Sequence, residues 1–205
     1  MRFAFTQTGS APATFRPASV GEASTDEMLI ERIADGDQLA MRTLFARHQT
    51  RVYRFVLRLV RNEATAEDVL SDVFLDVWRQ GSRFNGRAAV STWLLAIARF
   101  KAISATRRRI DAELDAGMAD TLPDPADDPE AALENKDRAE VLRRGLAQLS
   151  PAHAEVIDLV YYHDKSVKEV AAIIGLSEAT VKTRMFYARK NLAELVQNGV
   201  RSTVH

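Results

Sequence analysis

Residues 166–195 read SVKEVAAIIGLSEATVKTRMFYARKNLAEL, and this stretch decides the fold. Val167, Val170, Ala171 and Ile174 recur at helical spacing, and Gly175 follows where a helix stop is wanted. Ser177 then opens a second helix, in which Val181, Met185, Ala188 and Leu192 are spaced by four, three and four residues. That spacing makes one buried stripe. Steps of ~100° per residue put Thr180, Thr183, Tyr187 and Lys190 on the opposite side, flanked by Lys182, Arg184 and Arg189. Hydroxyls there can reach base edges and cations can reach phosphates. Turn, stripe and basic face coincide, so the segment predicts a DNA-reading helix-turn-helix.

Outward from this motif, composition narrows the class. The chain is 46% hydrophobic and 27% charged, as in a water-exposed globular protein able to bury a core. No apolar run has the length of a membrane span, and residues 1–24 lack the apolar centre of a signal peptide, so no membrane insertion and a cytoplasmic location are expected. With no cysteine and four scattered histidines, neither a disulfide nor a metal site is expected, and no cofactor. The net charge of zero hides an organisation. Residues 1–110 carry an excess of six basic groups, residues 111–135 carry nine acids and no base, and residues 136–205 are basic by three.

Taken in order, residues 1–24 are rich in Ser, Thr, Ala and Pro without periodicity, and read as a disordered extension. A short helix is predicted over 26–34 behind Ser24 or Thr25, ended by Gly36. A long helix over 37–60 follows, with Met41, Leu44, Phe45, His48, Val52, Phe55, Val56 and Leu59 on its apolar face. Arg47, Arg51, Arg54, Arg58 and Arg61 form a basic stripe beside that face, and His48 reads as an interior histidine. A third helix is predicted over 66–79, capped by Thr65 with Asp68. Its outer face repeats acids at Asp68, Asp72 and Asp76 with Leu75 among them. An apolar residue gains nothing from water, so this face suits a protein contact.

A loop with two glycines, GSRFNGR over 81–87, leads to a helix from Ser91 or Thr92 through Trp93 to Arg109. Arginines, an aromatic and an amide on one loop are what binding to an unstacked single strand requires. Residues 111–135 hold Pro123, Pro125 and Pro129 and the nine acids, and read as a flexible acidic linker. A helix from Asn135 and another opened by Ser150-Pro151 complete the approach to the helix-turn-helix. The expected fold is all-α: two small helical domains, 25–110 and 136–198, joined by the linker, with a tail from 199.

This order resembles the extracytoplasmic-function sigma factors, compact bacterial sigma factors built from regions 2 and 4. The resemblance is carried by AEDVLSDVFLDVW over 66–78, STWLLAIAR over 91–99 and GLSEATVKTR over 175–184. It implies that Asp68, Asp72, Leu75 and Asp76 dock on the clamp of the largest subunit of core RNA polymerase. Arg83, Asn85, Arg87, Ser91, Thr92, Arg99, Lys101 and Arg107 would meet the −10 element as it melts to single strands. Ser177, Thr180, Lys182, Thr183, Arg184, Tyr187 and Lys190 would meet the double-stranded −35 element. It further implies an anti-sigma factor covering both domains, a stress regulon, and no enzymatic activity. Ser71, Phe100 and Ala154 depart from common family choices without disturbing the assignment, whereas Phe186-Tyr187 replaces a common His-Arg on the reading face. A phenol cannot make the bidentate guanine contact of Arg. The acidic linker reads either as a solvated tether or as a segment threading a basic polymerase channel. The rival classes are a stand-alone helix-turn-helix regulator, which leaves the Asp68–Asp76 row unexplained, and a helical enzyme, for which no nucleophile–base pair exists.

Overall fold

In the computed structural model, residues 24–115 and 136–203 are described, and every regular element among them is helical. The expected extension and most of the expected linker lie outside the described residues. The front half begins with α1 (Asp26–Ala34), where Thr25 accepts from the Met28 N–H. Asp37 caps α2 (Gln38–Val60) through the amides of Leu39 and Ala40, and holds Arg32 on its other oxygen. His48 is an interior histidine: its Nε2 lies 2.6 Å from Asp26. Burial would raise the Asp26 pKa, but Arg47 and His48 together hold it below the usual range.

Helix α3 (Glu63–Gln80) starts earlier than the periodicity predicts. Asn62 captures the helix start because its carbonyl accepts both the amide and the hydroxyl of Thr65, leaving Thr65 inside the first turn rather than capping it. A single 3-10 turn, Gly81–Arg83, leads through the loop to α4 (Val90–Asp115), which continues past residue 110. Helices α2, α3 and α4 pack on one another around Leu44, Phe55, Val56, Val73, Val77 and Leu94, all under 2% exposed.

The back half comprises α5 (Lys136–Ala147), α6 (Pro151–Tyr161), α7 (Val167–Ile174) and α8 (Glu178–Thr203). The predicted stripe is buried at Val181, Met185 and Ala188 against α6 and α7, with Leu192 half-buried. In α5, Gly145 allows close approach to α8, since a Cβ there would lie 3.1 Å from Leu192 Cδ1. The two halves are not merely tethered. Helix α4 packs against α7, and α2 touches α6.

Gly175 ends α7 at φ 70°, and its amide bonds the Ala171 carbonyl. A Cβ there meets no neighbour, so the need for glycine is purely conformational. Gly175→Ala is expected to destabilise the chain by about 1–2 kcal/mol, read as a lower denaturant midpoint with an unchanged slope. An unchanged midpoint would contradict the left-handed turn.

Candidate nucleic-acid interface

The loop between α3 and α4 is built by local bonds. Arg83 donates to Gln80, and the Asn85 side chain accepts the Arg87 amide, a turn completed by Gly86 at φ 68°. Phe84 packs against Trp93, ring centroids 5.2 Å apart, so the loop aromatic is anchored rather than free. Together they wall a cleft of about 190 Å³ edged by Arg83, Asn85, Arg87 and Thr92. An aromatic wall with guanidinium and amide groups at the rim can hold a planar, unstacked base. The cleft's far side is supplied by Ala172 of α7, from the other half of the chain.

The neighbouring residues on α4 are already engaged. Ser91 Oγ accepts from Lys165 Nζ at 2.6 Å, and Thr92, 2% exposed, donates to Glu169 at 2.7 Å. Arg99 makes a two-pronged contact with Glu155, its Nε donating at 2.6 Å. From α2, Arg58 pairs with Asp158 and stacks 4.0 Å over Tyr162. Glu155, Asp158, Lys165 and Glu169 all belong to the back half. They are the residues that sequence reasoning missed. Buried charges leave no periodic trace, and only the Ser166-x-x-Glu169 capping box was open to reading. Of the remaining expected residues, Arg83, Asn85, Arg87 and Arg107 are exposed, while Lys101 pairs with Asp76 at 2.8 Å.

That pair also qualifies the acidic row. Asp68, Asp72 and Leu75 are exposed on α3, whereas Asp76 is half-buried beneath Lys101. On α8, Ser177 caps the helix through the Thr180 amide. Ser177, Thr180, Lys182, Thr183, Tyr187 and Lys190 are exposed on that helix, and Arg184 lies half-buried at its flank. Among the described residues no group of His, Asp or Glu side chains is gathered as a metal site, and no helix is long and apolar enough to cross a membrane.

Residues 44–110 match the family model for Sigma-70 region 2, and residues 145–194 match that for Sigma-70, region 4. The chain is 36% identical over 171 residues to the RNA polymerase sigma factor CarQ of Myxococcus xanthus, covering 82% of this chain and 95% of that protein. It is 31% identical to the ECF RNA polymerase sigma factor SigL of Mycobacterium tuberculosis, covering 80% and 93%. Among solved structures, CnrH in complex with the cytosolic domain of CnrY is similar at a TM-score of 0.61 and 26% identity, covering 84% of this chain and 97% of that one. The sigma factor RpoE with the anti-sigma factor NepR from Bartonella quintana shares the fold at a TM-score of 0.64 and 24% identity, covering 76% and 96%.

Two groups at the contact between the halves respond to pH. His163 sits edge-to-face on Phe55 of α2. Burial, then the charges of Arg58, Arg51 and Lys165, lower its pKa to about 4. A histidine neutral in the fold but protonating near 6.5 when unfolded contributes stability that is full above pH 6.5 and lost as pH falls toward 4. Glu169 adds a second step. Burial would raise it, but bonds from Thr92 and Ser166 bring it to about 2, so its contribution is lost as pH falls from about 4.5 to 2. Thermal stability should therefore fall between pH 6.5 and 4 in the native chain and respond less to pH in His163→Gln. Equal pH slopes in the two would contradict the burial of a neutral ring.

Proposed function

The chain belongs to the extracytoplasmic-function sigma factors, which recognise promoters and start transcription, and on that premise we propose how its residues divide the work. Asp68, Asp72 and Leu75 dock on the clamp of the largest subunit of core polymerase, with Asp76 joining them when Lys101 turns to DNA. Arg83, Asn85 and Arg87 gather a flipped −10 base into the cleft walled by Phe84 and Trp93. Ser91, Thr92, Arg99, Lys101 and Arg107 follow the opened strand. Ser177, Thr180, Lys182, Thr183, Arg184, Tyr187 and Lys190 meet the −35 element. An anti-sigma factor holds the chain inactive until a stress signal arrives, and the active protein works on cytoplasmic DNA. The observation that carries this reading is the cleft: aromatic walls and basic rim sit at the α3–α4 loop, inside the stretch that matches region 2. A stand-alone regulator would have no use for it.

Magnitudes decide what the cleft does. Opening a helical turn, ~10 base pairs at ~1.4 kcal/mol per step, costs on the order of 14 kcal/mol. A captured base returns only about 1–3 kcal/mol. The cleft therefore nucleates melting, and strand contacts across the holoenzyme complete it. Ser91, Thr92 and Arg99 cannot bind DNA while they hold Lys165, Glu169 and Glu155. The form that initiates is an opened one, with α6 and α7 drawn away from α4.

Transcription from genomic promoters with core polymerase, with and without this chain, tests the reading. Initiation should depend on the chain. Leu75→Asp should lower core affinity by at least ~10-fold at unchanged helicity, the cost of a charge in an apolar contact. Asn85→Ala with Arg87→Ala should keep core affinity but reduce permanganate-detected melting. Absence of chain-dependent initiation, or full melting by the double variant, would contradict the assignment.

A further inference from the structure

The outward face of α8 is more apolar than a DNA-reading helix requires. Its centre is formed by Ala179, Thr183, Phe186, Tyr187 and Lys190, all exposed. Phe186 is 64% and Tyr187 50% exposed, and the two rings meet edge-to-face with centroids 5.4 Å apart. The Thr183 hydroxyl donates to the Ala179 carbonyl of its own helix at 3.0 Å, which leaves its methyl as the group presented outward. The hydroxyls of Ser177 and Thr180 bond each other at 2.8 Å. No guanidinium stands among these central residues: Arg184 is half-buried at the flank, and Arg189 lies over the Tyr161 ring.

Guanine is read by paired donors from Arg or Lys, whereas the apolar feature of the major groove is the C5 methyl of thymine, met by Ala, Thr methyl or aromatic carbon. A surface of two methyls and two rings, edged by Lys182 and Arg184 and followed toward the C-terminus by Lys190, with these cations for the phosphates, complements a groove lined by thymine methyls. We propose that this chain selects its −35 element chiefly through thymine methyl groups packed against Thr183, Phe186 and Tyr187, with Tyr187 as the specificity-determining residue. This rests on the assignment of α8 to the −35 element. The flanking cations favour duplex DNA over a protein as the occupant, since an apolar protein surface would gain nothing from them.

The test uses holoenzyme formed from the full chain and core polymerase, presented with promoters randomised across the −35 segment. A·T pairs should be enriched. Replacing the selected thymines by deoxyuridine, which removes only the methyl, should weaken binding about fourfold per contacted methyl, the worth of one buried carbon. Tyr187→Ala should erase the response to deoxyuridine, and Tyr187→Arg should move enrichment toward guanine. Enrichment of G·C pairs with no response to deoxyuridine overturns the inference while leaving α8 as the −35 reader. Unchanged DNA selection in Phe186→Ala and Tyr187→Ala also overturns it, and assigns the aromatic pair to a protein contact instead. Initiation that ignores the −35 sequence altogether overturns both the inference and the assignment beneath it.

Discussion

The Glu169 carboxylate both starts the helix-turn-helix and reaches the front half of this chain. Glu169 Oε2 accepts the amide and hydroxyl of Ser166 at 3.0 and 2.8 Å, closing the capping box that starts the first helix of the helix-turn-helix. Its Oε1 accepts the Thr92 hydroxyl of α4 at 2.7 Å and faces Lys165 at 3.3 Å. Lys165 in turn donates to Ser91. Burial works against the charge, yet the hydrogen bonds keep Glu169 ionised far below neutrality, so these contacts are charge-assisted and short. The group that begins the helix-turn-helix thus also holds the Thr92 hydroxyl beside the α3–α4 cleft, and Ser91 through Lys165.

Two consequences follow for function. Under the proposed division of work, DNA and the back half of the chain would compete for Ser91, Thr92 and Arg99, so strand capture would go with release of α6 and α7. The contacts are also asymmetric in cost. Glu155 is buried and faces Arg99, and removing one partner of such a pair leaves a buried charge at about 3–5 kcal/mol, a cost avoided when the halves open and Glu155 returns to water. On the proposed reading, this closed form would yield when polymerase and promoter supply replacements for both charges.

Much of this was legible in one dimension, because helices advertise themselves by period. The Val181–Met185–Ala188 stripe, the Gly175 stop, the exposed Leu75 and the interior His48 all stand where spacing alone places them. Helix ends were less legible. Asn62 displaced Thr65 as the cap of α3, since a side-chain carbonyl that accepts two donors outcompetes a hydroxyl. What the sequence hid was the contact between halves. Arg58 and Asp158, or Arg99 and Glu155, are separated by dozens of residues, and nothing in either helix marks its partner. The reading face of α8 was half legible: Thr183, Tyr187 and Lys190 follow from angle, but only the Thr183 hydroxyl bond to Ala179 shows that a methyl, not a hydroxyl, faces outward.

In the proposed cycle, one set of side chains, Ser91, Thr92 and Arg99, serves the closed form and then the promoter. The chain has no cysteine, so a single pair of labels can be placed without background. Dyes at Ser82→Cys and Lys168→Cys, both exposed, would report the separation of the α3–α4 loop from α7 by energy transfer. Transfer should be high in the free chain and clearly lower in holoenzyme on a melted promoter. Transfer that stays high in a complex that is initiating transcription would contradict the cycle.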